Sequence, residues 1–181
     1  MLDKLMDLVR QHAGEGIVNN KAIPNEKNEQ AVQGAGNSII ATLQNALASG
    51  NVKDVLAYFK GSGTGSGLVE QATGNYAKDL QENVGLGATE AQNAAAKVIP
   101  QTMDQLASKT ADPSDNSFDI QDIFNKLSGG KTGGMDVQAL LNRFGAGKLD
   151  KDGDGDVDLQ DLKSMFGGSG GVMDKVKGMF N

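Results

Sequence analysis

Residues 31–50 read AVQGAGNSIIATLQNALASG, and their larger apolar side chains recur at three- and four-residue spacing through Val32, Ala35, Ile39, Leu43 and Leu47. Such spacing draws one continuous apolar stripe along a helix. Gly34 and Gly36 thin the stripe locally, as close contact with a second helix would require. Upstream, Ile23-Pro24-Asn25 marks where this helix begins. Downstream, Ser49-Gly50-Asn51 breaks the pattern.

The same periodicity extends in both directions. Leu2, Leu5, Met6 and Val9 predict a first helix that ends near Gly14 and Gly16. Val52, Val55, Leu56 and Phe59 predict a short third helix, followed by GSGTGSG at 61–67, which reads as a flexible loop. Helical spacing resumes at Leu68, Val69, Ala72, Tyr76 and Leu80, and pauses at Gly85-Leu86-Gly87. It returns through Ala91, Ala95, Val98, Ile99, Met103 and Leu106, where Pro100 is expected to kink or restart the helix. The expected fold class is all-α, with a helical bundle over residues 1–110.

Three pieces of this half resemble the YidB-like family of bacterial helical proteins of unknown function. They are the helix at 37–47, the LASGN turn at 47–51 leading into residues 52–59, and GLGATEAQ at 85–92 running into Val98-Ile99-Pro100. The resemblance covers about residues 1–108 and consists of packing patterns. It implies an all-helical bundle and no known activity.

Composition narrows the chemistry. The 181 residues include no Cys and no Trp but 25 Gly, so the core must be built mainly from Leu, Ile, Val, Met and Ala. Without Cys there is no disulfide, thiolate nucleophile or cysteine-type zinc site. The single histidine, His12, lacks the partners of a catalytic triad or a two-histidine metal motif and is expected to be a plain surface residue. Charged residues interrupt the first helix, so a Sec-type signal is not expected, and no apolar run is long enough to span a membrane. The expected location is the cytoplasm, or outside it by export without such a signal.

Beyond Thr110 the composition changes. Asp112-Pro113-Ser114-Asp115-Asn116 is a turn-rich connector, which sets a module at 111–170 apart from the bundle. Within the module Val137, Leu140, Leu141 and Phe144 predict a helix, and Leu159, Leu162, Met165 and Phe166 predict another. After the glycine-rich stretch at 167–171, Val172, Met173, Val176, Met179 and Phe180 complete a C-terminal amphipathic helix within 171–181.

Between the two module helices lies DKDGDGDVDLQD at 150–161. Six Asp against one Lys concentrate there nearly all of the chain's net charge of −6. With Asp150 as position 1, carboxylates occupy positions 1, 3, 5, 9 and 12 as Asp150, Asp152, Asp154, Asp158 and Asp161. Gly155 fills position 6 and Val157 position 8. This is the EF-hand pattern: a hard cation takes six to eight oxygens, alternate residues of a turning loop aim inward, and glycine permits the sharp turn. Asp156, at position 7, is expected to contribute its backbone carbonyl. The alternative is an acidic, glycine-punctuated surface turn without a ligand. Carboxylates so spaced repel one another without a cation, which couples metal affinity to local folding.

Asp161 in place of Glu at position 12 resembles the dockerin variant of the EF-hand, whose loop runs straight into a helix. Calcium is the expected cation, with magnesium as the alternative. On the incoming side, Gly145 and Gly147 interrupt the helix before the loop. A fainter copy lies 39 residues earlier, where Phe118-Asp119-Ile120-Gln121-Asp122-Ile123 matches Val157-Asp158-Leu159-Gln160-Asp161-Leu162. It places Asp115, Asp119 and Asp122 at positions 5, 9 and 12, but Ala111 and Pro113 at positions 1 and 3. This copy is either a degenerate EF-hand partner or two helix starts with the same capping signature.

Other signals weaken on inspection. The run from Asn125 to Lys131-Thr132 ends like a phosphate-binding loop but lacks the first glycine and the preceding strand. The glycines at 61–67 lack the flanks of a dinucleotide site. An acidic chain without a basic stripe is a poor nucleic-acid ligand. Apolar terminal helices suit packing or self-association better than a membrane surface. The sequence therefore predicts a non-enzymatic calcium-binding helical protein whose metal clasps a self-assembly or a protein partner. A calcium sensor or buffer and an enzyme with a structural calcium site are the alternatives.

Overall fold

The computed structural model describes residues 2–61, 66–112, 114–130, 136, 137 and 139. These are predominantly helical, with no strand among them: α1 (Leu2–Ala13), α2 (Asn28–Ala48), α3 (Val52–Phe59), α4 (Ser66–Asp79), α5 (Ala88–Ala111) and α6 (Ile120–Leu127). The protein is an all-α bundle. Ser66 and Gly67, expected in a loop, open α4, while residues 62–65 of that loop and the C-terminal segment at 171–181 lie outside the described residues.

The periodic stripes become the core. Val32, Ala35, Ile39, Leu43 and Leu47 of α2 are all buried, as are Leu5, Met6 and Val9 of α1, joined there by Leu8. α4 packs against both α5 and α2, and α1 also packs against α5 and α2. Tyr76, fully buried on α4, is among the largest side chains enclosed, and Ala91, Ala95, Val98, Ile99, Met103 and Leu106 are buried on α5. Removing each large aliphatic side chain from water contributes roughly 1.5–3 kcal/mol before the entropy of ordering the chain is counted.

Both buried threonines of α2 and α5 are matched locally. Thr42 and Thr102 each donate their hydroxyl to the carbonyl four residues back, Ser38 and Val98 respectively, at 2.8 Å. Asn75 of α4 donates to the Thr42 hydroxyl at 3.0 Å, a polar link between α4 and α2. The hydroxyls of Tyr58 and Tyr76 are buried without a partner among the described residues, and burial pushes both phenols well above their ordinary range.

With few large side chains available, helix axes must come close, and three glycines permit it. After Ala13 the chain continues as a π-helical turn, Gly14–Val18, which lays Gly16 on α5. A Cβ there would strike the Val98 methyl and lie 3.2 Å from the Ala94 carbonyl oxygen. At Gly34 of α2 a Cβ would collide with the Asp79 carboxylate beside the Tyr76 ring, and at Gly36 with the tip of Met6. The α-helix thus ends at Ala13, beside Gly14 as the spacing predicts, and the turn that follows uses Gly16 as a contact.

The pause at Gly85-Leu86-Gly87 lies where the spacing predicts it, whereas the restart at Pro100 does not occur. α4 closes through a second π-helical turn, Leu80–Val84, and Gly85 then takes the left-handed conformation with φ of 89°. This lets Gly85 and Leu86 donate their N–H groups to the Leu80 carbonyl at 2.9 and 3.1 Å. Lys27 meets the exposed end of the turn, donating to the Val84 carbonyl at 2.9 Å. Pro100 does not restart its helix, because α5 is continuous from Ala88 to Ala111. Its missing N–H would have bonded the carbonyl of Ala96, an exposed residue whose backbone can turn to water.

The core also continues past the connector. Phe118, Ile120, Ile123, Phe124 and Leu127 are buried in the same cluster as the bundle side chains. The rings of Phe124 and Phe59 meet edge-on, with centroids 6.3 Å apart. α6 is therefore a layer of the bundle.

The two glycines of the first turn separate close packing from backbone freedom. Gly16→Ala should lower stability by about 1–3 kcal/mol, because the stiff Val98 side chain and a backbone oxygen must both yield. Gly14→Ala, with open space around the added methyl, should be neutral or stabilising by up to about 1 kcal/mol. Urea denaturation of the two variants checks the contrast, and equal effects would contradict it.

Candidate metal centre

Asp150, Asp152, Asp154, Asp156, Asp158 and Asp161 all lie outside the described residues, as do Leu140, Leu141 and Phe144. The fainter copy is described except for Pro113, and there Asp115 and Asp119, with Asp112 before them, each have a local task. Asp112 accepts from the Ser114 N–H at 2.8 Å and from its hydroxyl at 2.7 Å. Asp115 repeats the motif with Ser117, accepting from its N–H at 2.8 Å and from its hydroxyl. Asp119 then accepts from the Asp122 N–H at 2.9 Å, the N-cap of α6. Short polar side chains folding back on the backbone thus set the path from α5 to α6.

Charge follows the same path. Lys109, in the last turn of α5, donates to Asp115 at 2.8 Å, where helix-end carbonyls also favour a cation. Lys109 and then Ser117 hold the Asp115 carboxyl well below the usual carboxylate range. Lys4 of α1 joins Asn116, Asp119 and Asp122 in lining a recess of about 70 Å³. Asp122 is itself exposed, and Ala111, at position 1 of the copy, is the last residue of α5. The carboxylates at positions 5 and 9 are engaged by a lysine and a helix start. The capping reading of the copy is the one this geometry matches, and no group of three or more metal-capable side chains occurs among the described residues.

Other candidate residues are accounted for by packing. His12 is half-buried, not a plain surface residue: its Nε2 lies 2.6 Å from Gln105 Oε1 and ties α1 to α5. Asn125, the start of the phosphate-loop look-alike, sits in the last turn of α6. Its carbonyl accepts from the Gly130 N–H at 2.8 Å, with Gly129 and Gly130 both at positive φ. That is a helix C-cap of the Schellman kind. No helix among the described residues is long and apolar enough to cross a membrane. Comparison with protein families, characterised proteins and solved structures finds no match to this chain.

Sequence reasoning missed the Lys109–Asp115 pair. A lysine in the last helical turn ahead of an acidic turn was the available signal, but it needed the chain direction beyond Asp112 to be known.

The sign of the Asp115 effect is fixed by its depressed pKa. Its contribution is present above the unfolded carboxyl value of about 3.9 and is lost as the pH falls through the folded value. Asp115→Asn should therefore melt at a lower temperature than the parent near neutral pH, with the difference shrinking as the pH drops below about 4. Thermal melts followed by far-ultraviolet circular dichroism across that range provide the check. A gap independent of pH would contradict the pairing.

Proposed function

We propose that this protein is a non-enzymatic, calcium-binding helical protein in which the cation acts as a structural clasp for self-assembly or for a protein partner. The observation that carries the reading is the donor set of residues 150–161. Asp150, Asp152, Asp154, Asp158 and Asp161 supply carboxylates, Asp156 a backbone carbonyl, and Gly155 the turn. The set is all oxygen, with no thiol in the chain and its one imidazole engaged on α1, which suits a hard cation and not zinc or copper. Calcium is favoured over magnesium because an all-protein set of six or more flexible oxygen ligands matches its larger coordination sphere.

The metal's role in this reading is to neutralise a cluster of like charges so that the loop and its flanking apolar segments can order together. The resemblance of the first half to YidB-like proteins, and of the loop to dockerins, is consistent with a helical scaffold bearing a binding module. Apolar stripes at 162–166 and 172–180 supply surfaces for a second copy or another protein.

Calorimetric titration of calcium into metal-free protein should show saturable heat that is absent when Asp150 and Asp154 are both changed to Ala. No heat in the parent, or equal heat in the double variant, would defeat the reading. Light scattering should report a larger particle in calcium than in chelator. A monomer under both conditions would defeat the assembly part alone.

A further inference from the structure

The π-helical turn after α1 brings two polar surfaces together. With no Cβ at Gly16, the turn lies close on Ala94 and Val98 of α5, and the residues just past it, Asn19, Asn20 and Lys21, meet the first half of α5. Single-turn π segments are rare and recur at functional sites. On the other side Glu90, Asn93, Ala94 and Lys97 stand three or four residues apart and share one face of α5. The two sets line a recess of about 250 Å³, polar except for the buried Ala94.

Some of these side chains are already committed. Asn20 donates its Nδ2 to the Gly16 carbonyl at 3.1 Å and accepts from the Ala22 N–H at 3.0 Å, so it braces the turn. Lys97 and Glu15 pair from α5 to the turn at 3.6 Å, and their opposite charges offset each other. Glu90 lays its carboxylate beside Gly87 at the start of α5, yet neither it nor Lys21 nor the Asn93 amide has a hydrogen bond or ion pair among the described residues. What the recess has left to offer is one cation, one anion and an amide that both donates and accepts.

We propose that this recess binds a small zwitterion, a free α-amino acid: Lys21 and the Asn93 amide take the α-carboxylate, and Glu90 takes the α-ammonium. A simple anion would bring like charge to Glu90, and a simple cation would do so to Lys21, so a ligand bearing both signs is the one that meets both. The volume lies just under the roughly 300–1,000 Å³ of drug-sized pockets, as a ligand of about ten non-hydrogen atoms requires. Lys21 and Glu90 are exposed and therefore screened, which sets the expected Kd at about 1 mM. The site lies wholly within the bundle and does not depend on the calcium reading.

Titration of free amino acids into the isotope-labelled full chain, followed by backbone amide NMR, tests the assignment. At least one amino acid should give saturable shifts at Asn19, Asn20, Asn93 and Ala94. Its N-acetylated form, which lacks the ammonium, and its carboxamide form, which lacks the carboxylate, should each bind about tenfold or more weakly. Lys21→Ala should weaken the free amino acid about fivefold or more, and so should Glu90→Gln, which keeps a capping side chain in the first turn of α5. Lys53→Ala, on α3 and outside the recess, should bind as the parent does. No saturable shift from any of the protein amino acids would overturn the proposal. Blocked forms that bind as well as the free one, or affinity unchanged in both Lys21→Ala and Glu90→Gln, would overturn it equally.

Discussion

Gly16, Gly34 and Gly36 stand where helix pairs meet, and each keeps open a space that a Cβ would fill. The constraint behind them is compositional. A core made largely of aliphatic and alanine side chains has little reach, so its backbones must approach one another to exclude water. Gly16 admits the Val98 methyl, Gly34 admits Asp79 beside the Tyr76 ring, and Gly36 admits Met6. Gly34 lies close on the end of α4 and Gly36 on α1, Gly16 rests on α5, and α6 settles on α2 and Phe59.

That surface is where the two halves of the chain meet. The connector after α5 turns three times by the same device, an Asp side chain accepting from a backbone N–H two or three residues ahead. Lys109 anchors its middle by pairing with Asp115. The outcome is an α6 whose apolar face closes the core at Phe59 and whose Gln121 reaches the next segment. Acidic residues that look like ligands in sequence work here as local struts.

The bundle was legible because period and turn chemistry agreed. The α2 stripe, the break at 49–51 and the pause before α5 all follow from spacing and glycine alone. The π-helical turns were not legible, since whether Gly14 and Gly16 end a helix or carry it onward depends on Val98, which lies far along the chain. Pro100 does not divide α5, since a lost N–H is costly in the core but tolerable where the freed carbonyl meets water. Likewise the copy at 115–122 has the spacing of a metal loop, and only the position of Lys109 shows how its central carboxylate is used. The loop at 150–161 is the reverse case, with its carboxylate spacing plain in sequence and its geometry outside the described residues.

The account therefore turns on the oxygens of that loop. Diffraction from crystals grown in calcium, with anomalous scattering used to locate the ion, addresses it most directly. The expected result is one cation within about 2.3–2.6 Å of carboxylate oxygens from Asp150, Asp152 and Asp154 and of the Asp156 carbonyl, with Val137 still seated against Gln121. An ordered loop with no ion in saturating calcium, or an ion held only by residues outside 150–161, would contradict it.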